Sequence, residues 1–153
     1  MLSKKAKYAL IALTFLARRY GEGPILISEL AKKERIPKKF LELILLELKN
    51  HGFLHSKKGK GGGYSLGKSP EEITLGNVIR VIDGPLAPVQ CVSVTAYQKC
   101  EECRDEKQCG IRLVMKGVRD AISDILDTTS LANVMQRIDA VLESEQNVLM
   151  YHI

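Results

Sequence analysis

Four cysteines, Cys91, Cys100, Cys103 and Cys109, stand in one short stretch at the spacing C-x8-C-x2-C-x5-C, and the chain has no others. In a reducing compartment such a group more often binds metal or does thiol redox chemistry than forms structural disulfides. Four thiolates suit tetrahedral zinc, although structural zinc sites usually show two CxxC pairs and this stretch has one, Cys100 to Cys103. A bare thiol switch is another reading. Lys99, Arg104 and Lys107 would lower a thiol pKa there, whereas Glu101, Glu102, Asp105 and Glu106 oppose them. A loop of unused cysteines is the bland alternative. None of the three histidines, His51, His55 and His152, lies in the stretch.

The compartment follows from the start of the chain. "MLSKKAKYALIALTFLARRYGEG" imitates a signal peptide, but it lacks a small-residue cleavage site, ends in Arg18-Arg19 and is too short to span a bilayer. Its apolar positions Ala6, Ala9, Leu10, Leu13, Leu16 and Ala17 recur at helical spacing, so it reads as a core-facing helix. The expected location is cytoplasmic, with no membrane partner.

The elements around the cysteines have an uneven charge. The whole chain of 153 residues carries +5, but residues 1–68 hold 15 Lys/Arg against 5 Asp/Glu while residues 69–153 hold 8 against 13. A basic first half suits a polyanion such as DNA, RNA or anionic lipid. Aromatics are 5% with no Trp, which argues against a stacking platform for single strands.

Within that basic half, "ISELAKKERIPKKFLELILLELKNHGFL" predicts two helices around a short turn. Ser28 is expected to cap the first, through Lys33, and is counted among the DNA-contacting residues. Pro37 suits the first position of the second, which Gly52 ends and in which Leu41, Ile44, Leu45 and Leu48 form the buried stripe. This is a helix-turn-helix, whose second helix enters the major groove by its N-terminal end. Lys38, Lys39 and Glu42 occupy that end. "SKKGKGGGYSL" then predicts a β-hairpin wing. Its glycines, Gly61 and Gly62 among them, would let the backbone approach DNA closely, and Lys57, Lys58 and Lys60 would supply charge. A nucleotide-phosphate loop is excluded, because Tyr64-Ser65 follows the glycines where a Walker loop needs Lys-Ser/Thr and then a helix.

Further on, Thr74 is expected to cap a short helix with Leu75, Val78, Ile79 and Ile82 on one side and Gly84-Pro85 after it. Ile111, Val114, Met115, Val118, Ile122 and Ile125 mark a long helix whose stripe needs a partner, and a second copy of the chain is the simplest one. A last helix is expected near residues 130–143, with Leu131, Val134, Met135, Ile138 and Leu142 as its stripe. The expected organisation is a winged helix-turn-helix domain at 1–84, a cysteine-rich sensor loop at 85–110, a dimerisation helix and packing helix at 111–143, and a tail at 144–153. The fold class is mainly α with a small β-hairpin wing. No nucleophile, base and orienter fall in one region and no cofactor fingerprint is present, so an enzyme is disfavoured; a cluster carrier is a further alternative.

The order "RIPKKFLELILLELKNHGFLHSKKGKGGGYSLGKSPEEITLGNVIRVIDG", followed by a cysteine cluster and a long helix, resembles the BadM/IscR/NsrR/CymR family of bacterial winged-helix transcriptional regulators. The resemblance spans residues 4–136, and "GKGGGYSL" is its most specific element. It implies a homodimeric, sequence-specific regulator, a repressor in the first instance, that binds a palindromic double-stranded operator. It implies base reading by Lys38, Lys39 and Glu42 and a wing at residues 57–64. In many members an iron–sulfur cluster senses cluster supply, nitric oxide, iron or redox state; others carry none and respond to a partner protein of cysteine biosynthesis. On the family's ligand pattern Cys91, Cys103 and Cys109 match and Cys100 is extra, so the simplest fourth ligand of a two-iron two-sulfur or four-iron four-sulfur cluster is Cys100, with a carboxylate from elsewhere in the chain as the alternative. Zinc, or no metal, is the alternative. Leu43 departs from the family, where several members have a polar residue beside the reading Glu, so no operator can be borrowed from a relative.

Overall fold

In a computed structural model that describes residues 1–151, Ser3 caps the first helix by accepting from the Ala6 N–H at 3.0 Å. This helix, α1 (Lys4–Arg18), buries Ala6, Ala9, Ala12, Leu13, Leu16 and Ala17. Because four of those six are alanines, other helices can pack closely around it, and α1 becomes the central element of the core.

The second helix, α2 (Ile27–Glu34), corrects the expected role of Ser28. Its cap is Leu26, in extended conformation, and Ser28 is an exposed residue of the first turn that caps nothing. The reason is a long-range tie: Ile25 donates to the Tyr64 carbonyl at 2.8 Å and accepts from the Tyr64 N–H at 2.9 Å. That bridge holds the chain extended up to Leu26, so the helix starts one residue before the serine. At its far end Arg35 takes a left-handed conformation (φ 53°, ψ 41°), and Ile36, 3% exposed, plugs the turn.

The third helix, α3 (Lys38–Asn50), buries the stripe Leu41, Ile44, Leu45 and Leu48. Pro37 is its cap and not its first helical residue, a shift of one position. Gly52, at φ +81°, lets the chain leave: its N–H reaches the Lys49 carbonyl while the Phe53 N–H reaches that of Leu48. Buried Phe53 and Leu48 complete this left-handed C-terminal motif.

The wing is the antiparallel pair β1 (Leu54–Lys57) and β2 (Gly63–Leu66), in register Leu54 to Leu66 and Lys57 to Gly63. Gly63 is required by the Ile25 bridge, since a Cβ there would come within 2.2 Å of the Ile25 carbonyl oxygen.

Thr74 caps α4 (Leu75–Asp83) by accepting from the Asn77 N–H at 3.3 Å. An irregular segment with one 3-10 turn, Gln90–Val92, leads to α5 (Gly110–Thr128), which has no buried residue. The chain then returns to the winged core. Leu131, fully buried, donates its N–H to the Ile73 carbonyl, and the Leu75 N–H reaches the Thr129 carbonyl, both at 2.9 Å.

The last helix, α6 (Leu131–Tyr151), lies beside α1, where Arg18 pairs with Asp139 at 2.9 Å. It corrects the expected tail. Residues 144–151 continue the helix, because nothing after Glu143 is Gly or Pro and Leu, Met, Glu and Gln are good helix formers. The last two tail residues, His152 and Ile153, lie outside the described residues. Among the described residues no helix is long and apolar enough to cross a membrane.

Candidate nucleic-acid interface and cysteine site

The outward face of α3 is built by the same periodicity that buries its other side. Lys38, Lys39 and Glu42 are exposed, as are two leucines, Leu43 at 64% and Leu46 at 47%. Helix α2 and strand β1 both pack against α3, so the wing is carried on the same unit. Lys57, Lys58, Lys60 and Gly61 are exposed at its tip. Gly62 is different: it is buried, its N–H is spent on the Gly59 carbonyl at 3.0 Å, and a Cβ would sit 2.2 Å from the Lys57 carbonyl oxygen. Its task is to close the turn, and the expectation that it offers backbone to DNA is withdrawn.

Charge pairing sharpens the basic surface. Glu29 is held by Arg19 at 2.6 Å, and that hydrogen bond, with the charges of Arg19 and Lys33, keeps its carboxyl below the usual range. Glu47 pairs with Lys5. Among the described residues no carboxylate pairs with Lys38, Lys39, Lys57, Lys58 or Lys60. Two acids of the basic half, Glu29 and Glu47, are thus engaged by Arg19 and Lys5, away from the lysines at the start of α3 and on the wing.

All four cysteines line one concavity of about 440 Å³. Cys109 caps α5, its Sγ accepting from the Arg112 N–H at 3.5 Å, and the Arg112 Nε–H donates to the Cys91 carbonyl at 3.3 Å. One arginine therefore ties the first cysteine to the last. Two turns on, Arg119 donates from Nη1 to the Val92 carbonyl at 2.6 Å, so the 3-10 turn bearing Cys91 is docked on α5. Cys103 donates its N–H to the Cys100 carbonyl at 3.1 Å, which folds the CxxC into a turn. The Tyr97 hydroxyl bonds Glu106 across the loop, and this hydrogen bond pushes the phenol pKa up.

Partial burial, followed by Cys109, Glu106 and Cys100, raises the Cys103 thiol above its ordinary value, and Lys99 opposes this without reversing it. That weighs against Cys103 as a spontaneously reactive thiolate. Among the described residues no three Cys, His, Asp or Glu side chains stand gathered at metal-holding distances. The donors share a cavity without being drawn together. Arg112, Arg119 and Tyr97 were not singled out from sequence; the one cue was the interval of three from Cys109 to Arg112, the cap spacing of a helix start.

The family model for Rrf2, described as an iron-dependent transcriptional regulator, matches residues 2–137. An rrf2-like HTH-type transcriptional regulator of Rhodobacter capsulatus is 41% identical over 138 residues, covering 88% of this chain and 92% of that protein. The HTH-type transcriptional regulator CymR of Bacillus subtilis is 32% identical over 152 residues, covering 99% of each chain. The structure of CymR, the global cysteine regulator of B. subtilis, superposes with a TM-score of 0.75 at 31% identity, covering 90% of this chain and 97% of that one. T. potens IscR follows with a TM-score of 0.71 at 25% identity, covering 90% and 88%. These relatives are named as regulators and none as an enzyme. From the winged helix-turn-helix and the match over most of its length, the chain belongs to the Rrf2 family of transcriptional regulators.

Proposed function

We propose that this regulator is a homodimer that reads a palindromic operator in double-stranded DNA and responds to its effector through the cysteine loop, with repression as the default sign. The observation that carries the DNA half is the exposed, unpaired set Lys38, Lys39, Lys57, Lys58 and Lys60 on α3 and the wing tip. On this reading Lys38, Lys39 and Glu42 face base edges, while the wing lysines, Gly61 and the exposed Ser28 lie along phosphates. Residues 1–84 form the DNA-binding unit, 85–110 the sensor loop and 111–143 the dimerisation and packing helices, with α6 continuing through the former tail.

The cysteines suit an iron–sulfur cluster as a donor set: four sulfurs line one cavity, and all-thiolate coordination serves a two-iron or a four-iron cluster. Cys91, Cys100, Cys103 and Cys109 would hold it. A bound cluster supplies a group whose gain, loss or redox change reports iron, oxygen or nitric oxide. The chain's own part is transmission. Arg112 and Arg119 fasten the Cys91 turn to α5, so rearranging the loop pulls on the helix that sets the distance between two recognition helices. Those helices must enter grooves about 34–36 Å apart, and a modest rotation of α5 decides whether both fit.

A second reading, a cluster-free, zinc-bound or thiol-responsive regulator of the same fold, is favoured by the ungathered cysteines and by the similarity to CymR. Anaerobic purification with iron, sulfide and zinc analysis and a visible spectrum on one sample separates the readings. Iron and sulfide with charge-transfer absorption that Cys103→Ala abolishes supports the cluster. Zinc, or no metal, rejects it and leaves the DNA-binding assignment standing.

A further inference from the structure

On α3 the residues Lys39, Leu43 and Leu46 recur at intervals of four and three, which puts them on one stripe. That stripe lies opposite the core-facing Leu41, Ile44, Leu45 and Leu48. Leu43, 64% exposed, therefore sits at the middle of the outward face, beside Glu42 and one turn from Lys39. Helix propensity does not explain it, since a Lys or Gln there would serve as well. It belongs to no core contact. Its own helix carries the exposed Lys38 and Lys39, and the wing packed on that helix carries three more exposed lysines, so the surface that meets this unit is a polyanion and not an apolar protein face. In the major groove the apolar group that an unmodified base pair displays is the C5-methyl of thymine.

We infer that Leu43 is a specificity-determining residue that packs on the C5-methyl group of one thymine in each operator half-site. The inference rests on the DNA-binding reading above and adds the base read at one position. Glu42 next to it accepts a hydrogen bond from a cytosine amino group or an adenine amino group, so the pair would read adjacent positions by different chemistries: one polar, one by apolar contact. Leu46, 47% exposed and one turn on, extends the apolar strip along the same groove.

The test uses the full-length protein and an operator selected from random duplexes, with each thymine replaced in turn by deoxyuridine, which removes the methyl and keeps the base-pairing edge. At fixed salt, one thymine per half-site is expected to show a loss of about fourfold on replacement, the worth of one buried methyl. Leu43→Ala, which changes both half-sites of the dimer at once, should bind the thymine operator about sixteenfold more weakly and make no distinction at that position, while Leu43→Met should retain it. An operator that binds with no uracil penalty at any position overturns the inference, whatever the variants do. So does a penalty that persists undiminished in Leu43→Ala. Both results leave DNA recognition intact. Failure of any duplex to be selected overturns the DNA-binding reading itself and the inference with it.

Discussion

Thr74 does two things at one position: its hydroxyl caps α4, and its backbone bridges to Ser130 at the start of α6. Thr74→Ala removes the cap alone and is expected to lower unfolding free energy by about 1 kcal/mol in urea titrations. Gly63→Ala is expected to cost more, about 2 kcal/mol or above, because the new Cβ drives against the Ile25 carbonyl at a φ of +142°. A third residue-scale effect is pH dependent. Arg80 meets Asp127 through two hydrogen bonds, at 2.6 and 2.8 Å, and the hydrogen bond first, then the charge, holds the Asp127 carboxyl below its ordinary value against a desolvation that opposes. A depressed carboxyl contributes stability above its unfolded pKa of about 3.9, and that contribution is lost as pH falls through the lower folded value. The side chains are 32% and 41% exposed, so solvent screens the pair and its worth is no more than about 1 kcal/mol. Asp127→Asn should therefore be less stable than the parent at pH 7 and approach it below about pH 4, read as converging urea midpoints. Caps and buried stripes of this kind were legible in the sequence, as Thr74 and Leu41 show. The Arg80–Asp127 pair was not, because 47 residues separate its partners.

At the scale of elements, the helix-turn-helix and wing were readable because each rests on local rules: apolar spacing for α3, glycine chemistry for the hairpin turn. The start of α2 was misread for the opposite reason. Ser28 has the local chemistry of a cap, but the Ile25–Tyr64 bridge between α2's approach and the wing overrides it. Gly62 was misread similarly, since sequence cannot tell a glycine that faces a ligand from one that clears a carbonyl. The wing's charge makes a direct prediction. Replacing Lys57, Lys58 and Lys60 by Ala should weaken binding to all duplexes nearly alike and flatten the plot of log affinity against log salt by about 0.9 for each phosphate left without its lysine. Fluorescence anisotropy at several salt concentrations measures that slope. An unchanged slope would remove the wing from the interface.

At the scale of the whole molecule, α5 is the element that the single chain leaves incomplete. Ile111, Val114, Val118 and Ile125 share one face and are 68%, 61%, 39% and 62% exposed on a helix of 19 residues. An amphipathic helix with that much apolar surface in water needs cover, and the proposal is a second copy. Val114→Glu with Val118→Glu is then expected to give monomers in sedimentation analysis and to lose tight binding to a full palindrome while keeping the melting transition of the winged unit. The cysteine loop makes the complementary case. Cys103→Ala with Cys109→Ala should change operator affinity and leave the sedimentation of the dimer unaltered.

Taken alone, the sequence determined the winged helix-turn-helix, the basic face it presents, the cysteine group and the presence of a long apolar helix beyond it. Each of these is written in short-range periodicity, turn residues or spacing, which the backbone obeys wherever the element sits. Only the tertiary structure decided how they join: the bridge that resets the start of α2, the return of Leu131 into the winged core, the salt link from α4 to the end of α5, and the arginines that tie the Cys91 turn to α5. Those contacts form between residues far apart in the chain, and a pairing across such a distance is set by packing and has no local signature to read.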